Sequence, residues 1–188
     1  MLLLDCLSCK RHFLSESSFN LTELVEKQQA QLLRARGAIK LLPAFAKAMQ
    51  AVSATDSQGI PLVVRMYSIV DKKPFPTLYW MTSELLKKEI SHIEASGVIK
   101  QLEERLKEDK EFLKAYHASH QDYVDQRLHY LSDEERIFAE QAGFIEILKQ
   151  KGIGGIANWD TVRCLHTQYA HHLAGFNVVG QWMDEEFG

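Results

Sequence analysis

The fold class is decided by a β-branched stretch in the middle of the chain, which reads Pro61-Leu62-Val63-Val64-Arg65-Met66-Tyr67-Ser68-Ile69-Val70. Its partial alternation of apolar and polar residues predicts a β-strand. A turn over 71–74 separates it from a second predicted strand, Phe75-Pro76-Thr77-Leu78-Tyr79-Trp80-Met81. Two strands alone are marginally stable, so helices must cover one face of this hairpin.

Both sides of the hairpin are predicted to be mostly helical, because capping residues precede apolar residues at helical spacing. Upstream we predict a helix over 21–36, capped by Asn20 and Glu23, and a shorter one over 42–52. Downstream we predict helices over 83–95, 98–107, 110–130, 133–150 and 161–174, the last capped by Asp160. The expected fold is α+β: a mainly helical single domain with a small antiparallel β-hairpin sheet packed against helices.

We place this domain at residues 19–188 and interpret residues 1–18 as a loosely organised N-terminal segment. That segment contains Cys6 and Cys9 in a lone C-x-x-C with His12 nearby. A structural zinc site of this type usually needs a second cysteine pair, which does not follow. We therefore interpret both thiols as incidental.

Composition excludes several classes of function. A net charge of -3 gives no electrostatic support for binding nucleic acid or an anionic membrane. No apolar run approaches the roughly 20 residues that span a bilayer. The start of the chain lacks the basic leader of a signal peptide. Three cysteines, an odd number, argue against a disulfide framework, and we expect a cytoplasmic protein.

One face of the helix predicted over 110–130 carries an unusual set of side chains, namely Tyr116, His120, Tyr123 and Arg127. At about 100° per residue, the other three lie within about 40° of Tyr116. Arg127 can bind an anion bidentately, the phenols can orient it, and His120 can carry a proton near neutral pH. The alternative is a half-buried amphipathic face whose tyrosines pack and whose arginine finds an acidic partner.

The helix predicted over 161–174 carries Cys164, His166 and His171. On one straight helix His171 lies about 20° from Cys164, whereas His166 lies about 160° away, so all three cannot bind one ion. His166 is either a core histidine with one hydrogen bond or the partner of His120 and Arg127 across a cleft between the two helices. A break in the helix would instead let a metal gather ligands from several segments. As a nucleophile Cys164 needs a base, and His171 is about 10 Å away along the axis.

Three motifs in this order resemble a bacterial family, domain of unknown function five hundred and one. They are Pro74–Thr82, Ala115-Tyr116 with His120, Tyr123 and Arg127, and Val162–His166 with Ala170-His171, Leu173-Ala174 and Asn177. The resemblance covers about residues 58–185. It implies no established activity, although in actinobacteria the genes often neighbour one for a septum-formation protein.

The resemblance does carry positions that match the candidate residues, and it shows two departures. The family pattern includes Tyr116, His120, Tyr123, Arg127, Cys164, His166 and His171, which raises the weight of a shared site. The family's usual Asn-Pro is Asn177-Val178 here, and the segment 132–151 is longer than in many members.

These observations support three hypotheses of function, and they leave open whether the protein is an enzyme. The leading one is a small-ligand site for an anion between the 110–130 and 161–174 helices. In this site His120 or His166 transfers protons. The ligand is bound by five side chains, namely Tyr116, Tyr123, Arg127, Cys164 and His171. The second is a non-enzymatic interaction protein linked to the cell envelope or division. The third is a metalloprotein using Cys164, His171 and ligands from elsewhere. No metal ligand set, cofactor or oligomeric state is assigned.

Overall fold

The computed structural model describes residues 47–188, which form two small β-sheets and seven α-helices. The strands are β1 (Met49–Thr55), β2 (Pro61–Met66), β3 (Ile69–Val70), β4 (Lys73–Pro74) and β5 (Tyr79–Met81). The helices are α1 (Glu84–Ala95), α2 (Val98–Glu108), α3 (Lys110–His129), α4 (Asp133–Gln141), α5 (Phe144–Gln150), α6 (Leu165–Ala174) and α7 (Val178–Phe187). A short 3-10 helix covers Ile153–Gly155. This architecture confirms the expected mainly helical α+β class.

The predicted hairpin is present, but its strands are shorter than expected. β2 pairs antiparallel with β5, and Val64 lies opposite Trp80. β3 and β4 form a separate two-stranded sheet closed by a tight turn at Asp71 and Lys72, whose φ angles of 49° and 59° are positive. Among the helices of residues 47–188, none combines the length and apolar character needed to cross a membrane.

The helix predicted over 42–52 is wrong over residues 49–52, because Met49–Thr55 is a strand. β1 pairs antiparallel with β2, and its Met49 and Val52 lie opposite Met66 and Val64. The pairing contains register shifts, so β1 lacks the strict alternation by which sequence identifies a half-buried strand. The predictions for Cys6, Cys9 and the 21–36 helix lie outside the described residues.

Side-chain caps set the beginnings of α1 and α3. Ser83 Oγ accepts from the amide of Leu86 at 3.3 Å. Asp109 Oδ1 accepts from the amide of Phe112 at 2.9 Å. Each bond satisfies one amide that has no acceptor within its own helix, so these boundaries follow from local sequence.

The single helix predicted over 133–150 is instead two helices. Its beginning is confirmed, because Ser132 and Glu135 form a capping box at the start of α4. Gly143 then adopts a left-handed conformation, with φ 70°, and separates α4 from α5. Glycine adopts this conformation at little cost, and the chain can turn there.

The core is built around α3, α6 and the sheet formed by β1, β2 and β5. α3 and α6 contribute most of the buried polar side chains of the described residues. The last helix, α7, packs against this core and is capped at its N-terminus by Asn177. Asn177 Oδ1 accepts from the amides of Val179 and Gly180, both at 3.0 Å. The amide of Val178 donates to Ser119 Oγ at 3.1 Å, which attaches α7 to α3. The Asn177-Val178 departure therefore leaves the cap intact.

Candidate functional site

The helix that carries His166 begins four residues later than the sequence predicted. α6 begins at Leu165, and Cys164 is its N-cap residue with extended backbone angles of φ -152° and ψ 121°. Asp160 is therefore not the helix cap. Because Cys164 stands outside the helix, its separation from His166 on a helical wheel does not apply.

Tertiary hydrogen bonds hold the segment before Cys164 out of the helix. The Thr161 carbonyl accepts from the Tyr116 hydroxyl at 2.9 Å. The Val162 amide donates to Glu103 Oε1 on α2 at 3.1 Å. These contacts are long-range, so local helix propensity could not reveal them.

The extended N-cap brings three side chains together, and we call Glu94, Cys164 and His166 the thiol cluster. Cys164 Sγ lies 3.7 Å from His166 Nδ1. Glu94 Oε1, from the last turn of α1, lies 3.3 Å from the same Nδ1. It also accepts from the Leu165 amide at 2.6 Å. The carboxylate thus holds both the imidazole and the first turn of α6.

The other ring nitrogen of His166 is fixed by α1. His166 Nε2 lies 3.0 Å from the Lys87 carbonyl and 3.3 Å from Ser91 Oγ. A carbonyl only accepts, so Nε2 carries a hydrogen and Nδ1 faces the thiol. The side chains of His166 and Glu94 are 22% and 25% exposed, which gives solvent access to the thiol cluster.

The electrostatics of the thiol cluster favour a thiolate beside an imidazolium. Burial raises the pKa of the Cys164 thiol, but hydrogen bonding by His166 and by the Thr167 amide outweighs it, and the pKa is lowered. The hydrogen bond with Cys164 raises the pKa of His166 to about 9, against the opposing effect of burial. The Glu94 charge disfavours the thiolate and favours the imidazolium. Cys164 also stands at the N-terminus of α6, where negative charge is stabilised.

The four side chains predicted to share a stripe on α3 are all fully buried, namely Tyr116, His120, Tyr123 and Arg127. The Tyr116 hydroxyl accepts from Gln168 Nε2 at 3.0 Å. The Tyr123 hydroxyl accepts from the Leu78 amide at 2.6 Å. Burial raises the pKa of both phenols, which therefore stay neutral and serve as hydrogen-bonding groups of the core.

His120 is a neutral core histidine. Its Nδ1 accepts from the Ile153 amide at 2.9 Å, so Nε2 carries the hydrogen. Its ring stacks on Trp159, with 5.2 Å between centroids. Burial lowers the pKa of His120 to about 3, and the positive charges nearby act in the same direction.

Arg127 closes the C-terminal end of α5. Its Nη1 donates to the carbonyls of Leu148 and Lys151, which are acceptors that the helix itself leaves free. Burial lowers the pKa of this guanidinium. Within residues 47–188, Arg127 Nε, His120 Nε2 and Trp159 Nε1 are buried without a hydrogen-bond partner. These contacts explain Arg127 by packing, and anion binding there stays a prediction.

α6 contacts α3 as expected, but through Gln168 and His171 rather than through His166. His171 Nε2 lies 3.0 Å from Asp122 Oδ2, and its ring lies 5.2 Å from the Tyr123 ring. The contacts of His166 are instead on α1. Cys164 is thus brought together with His166 and Glu94, whereas His171 contacts Asp122 and Tyr123 on α3.

Glu94 is the residue that sequence reasoning missed. It lies about seventy positions from Cys164, so no local spacing joins them. A weak signal was present: Lys87, Ser91 and Glu94 follow i, i+4, i+7 spacing and form one polar face of α1. Such a face is ordinarily interpreted as solvated, and the contact with α6 could not be predicted from it.

Comparison with known proteins gives a family and no activity. Neither a curated protein nor a solved structure matches the chain. One family model does match, described as "Protein of unknown function (DUF501)", and it covers residues 52–185. This range contains all three residues of the thiol cluster and the whole stripe on α3. Because this family model matches well over half of the chain, the chain belongs to this family of proteins of unknown function.

Proposed function

We propose that the thiol cluster is a site of covalent thiol chemistry in which Cys164 is the nucleophile and His166 the base. The observation that carries the proposal is the 3.7 Å separation of Cys164 Sγ and His166 Nδ1, with the other ring nitrogen held by the Lys87 carbonyl. A nucleophile, a base within reach and a group that orients the base form the arrangement that activates a weak nucleophile. Partial exposure lets an electrophile reach the sulfur.

The reaction class is acyl transfer to the sulfur. In the thiolate–imidazolium pair His166 Nδ1 already holds the thiol proton, and the thiolate sulfur attacks an acyl carbon. The leaving group departs with that proton, and a thioester forms. Water then hydrolyses the thioester, with Nδ1 accepting a proton from water and returning it to Cys164. Glu94 stabilises the positive imidazole in both steps and fixes the first turn of α6 through the Leu165 amide.

A reducing compartment fits this proposal, because the nucleophile must be a free thiol. The bacterial cytoplasm is such a compartment. The burial of the stripe on α3 supports packing as the role of Tyr116, His120, Tyr123 and Arg127. Anion binding between α3 and α6 therefore ranks below the thiol reaction.

The test is the rate at which iodoacetamide alkylates Cys164. The background is Cys6→Ser/Cys9→Ser, so that one thiol remains, and labelling is followed by mass spectrometry. We expect His166→Gln to slow alkylation at pH 7 at least about tenfold, because the base is lost. The matched control is His92→Gln, an exposed histidine on α1. Equal rates in His166→Gln and in the control would refute the proposal.

A further inference from the structure

We propose that the thiol cluster also binds one zinc-type divalent cation, through Cys164 Sγ, His166 Nδ1 and Glu94 Oε1. These three atoms lie within 4.8 Å of one another and come from two separate elements, the end of α1 and the beginning of α6. Thiolate, imidazole and carboxylate are the three ligand types that zinc takes from proteins. The proposal replaces His171, the partner expected from sequence, with His166 and Glu94.

Two of the three separations between the ligand atoms match a tetrahedral site. Zinc bonds are about 2.3 Å to sulfur, about 2.0–2.1 Å to imidazole nitrogen and about 2.0–2.2 Å to carboxylate oxygen. At tetrahedral angles these bonds place sulfur and nitrogen about 3.6 Å apart, and nitrogen and oxygen about 3.3–3.5 Å apart. The structure has 3.7 Å from Cys164 Sγ to His166 Nδ1 and 3.3 Å from His166 Nδ1 to Glu94 Oε1. The third pair, Cys164 Sγ and Glu94 Oε1, lies within 4.8 Å, so the three atoms are close enough to share one ion.

The groups around the ligand atoms orient them as the neighbours of metal-binding residues usually do. The hydrogen on His166 Nε2 points at the Lys87 carbonyl, which leaves Nδ1 directed at the other two ligand atoms. A metal-bound histidine typically donates its second ring N–H in this way. The Leu165 amide orients Glu94 Oε1 at 2.6 Å.

The charges of the cluster also favour a cation. A thiol and a carboxylate approach the same ring nitrogen, although a single nitrogen can offer only one hydrogen to the two. A divalent cation at their centre interacts favourably with all three ligands at once. Binding displaces to solvent the proton that lies between Cys164 Sγ and His166 Nδ1, so the metal takes the place of that proton.

The ligand set predicts which metal binds and how many coordination positions remain for other ligands. A thiolate and an imidazole select zinc or cobalt over magnesium and calcium, which prefer oxygen. Three protein ligands leave a fourth position for water. Cys164 is then a ligand rather than a free nucleophile, so the metal switches off the thiol reaction. This regulatory consequence rests on the proposed function, whereas metal binding stands on ligand geometry alone.

The test is metal binding by the full chain in the Cys6→Ser/Cys9→Ser background, with cobalt and zinc as probes. We expect one cobalt per chain, with a near-ultraviolet thiolate-to-cobalt absorption band that zinc abolishes. Glu94→Gln and His166→Gln should each weaken zinc binding by at least about 10- to 100-fold. Cys164→Ser should abolish the absorption band. The controls are Glu104→Gln on α2 and His92→Gln on α1, both exposed, and they should bind zinc as the parent does.

Two measurements on the same samples separate this proposal from the thiol reaction. Circular dichroism checks that each variant is folded before metal is added. Alkylation of the parent by iodoacetamide, with and without one equivalent of zinc, should show protection of Cys164 by the metal. Absence of zinc binding in a parent whose thiol is alkylated rapidly would overturn the metal site alone. Binding that survives Cys164→Ser would also overturn it, whereas zinc binding with equal alkylation in His166→Gln and His92→Gln would overturn only the proposed function.

Discussion

Replacement of Gly152 by alanine should destabilise the fold by filling space that His120 and Trp159 already occupy. A Cβ at Gly152 would lie 2.2 Å from His120 Nδ1 and 2.7 Å from Trp159 Nε1. Real Cβ atoms do not approach so closely, so the imidazole must move. The backbone is not the difficulty, because Gly152 has φ -78°, a value that alanine adopts readily.

The size of the effect follows from two contributions. Forcing extra carbon into a well-packed core costs about 1–3 kcal/mol. Moving His120 also breaks its hydrogen bond from the Ile153 amide, and a buried unpaired amide costs about 1–3 kcal/mol. We expect about 3 kcal/mol for Gly152→Ala. For a chain of this size that corresponds to a fall in Tm of about 10 °C.

The assay is urea unfolding in a double-mutant cycle with His120→Ala. In the His120→Ala background the imidazole is absent and Trp159, which stacks on it, gains room to move away from the new Cβ. Gly152→Ala should then cost at most about 1 kcal/mol, a coupling of about 2 kcal/mol. Gly143→Ala is the matched control, since its Cβ would meet nothing within 4 Å and only the positive φ opposes it, at about 1–2 kcal/mol. Equal costs of Gly152→Ala with and without His120 would show that the ring is not what the new methyl group meets.

Two further predictions concern the buried stripe. The pKa of His120 is lowered to about 3 in the folded chain, below its ordinary 6.5, so the unfolded chain takes up the extra proton as the pH falls. Stability should therefore decrease from pH 6.5 towards 3, by at most about 1.4 kcal/mol per pH unit from this group. His120→Phe should flatten that slope in urea titrations at pH 7, 6 and 5, and an unchanged slope would contradict the assignment. Arg127→Met should cost about 3 kcal/mol in thermal unfolding, because two buried carbonyls lose their donor. If phosphate at fixed ionic strength raised the Tm of the parent and not of Arg127→Met, Arg127 would be an anion ligand after all.

The parts of the fold that sequence predicted are those governed by neighbouring residues. Ser83, Asp109 and the Ser132 capping box begin their helices because each side chain satisfies an amide three positions away. The strands of the hairpin follow from β-branched composition and alternation. Gly143 was a local signal as well, since a glycine inside a helix can end it, but the single helix predicted over 133–150 did not use it.

The candidate site could not be predicted because its decisive contacts are long-range. The segment 161–164 was predicted to be helical, yet contacts with Tyr116 and Glu103 hold it outside the helix. Once Cys164 is an N-cap, its relation to His166 changes from opposite faces of a helix to direct contact. The identities of Cys164 and His166 were therefore recognised, but their geometry and Glu94 came only from the tertiary structure.

The amide of Val178 shows how this chain can differ from the usual Asn-Pro of its family without losing α7. Proline at the first position of a helix restricts the unfolded chain and typically stabilises by about 0.4–1 kcal/mol. Proline has no N–H, so it could not donate to Ser119 Oγ as Val178 does at 3.1 Å. That bond contributes a net of about 0.5–1.5 kcal/mol. Conformational restriction by proline and a hydrogen bond to α3 are of similar size, so Val178→Pro should begin α7 at nearly constant stability.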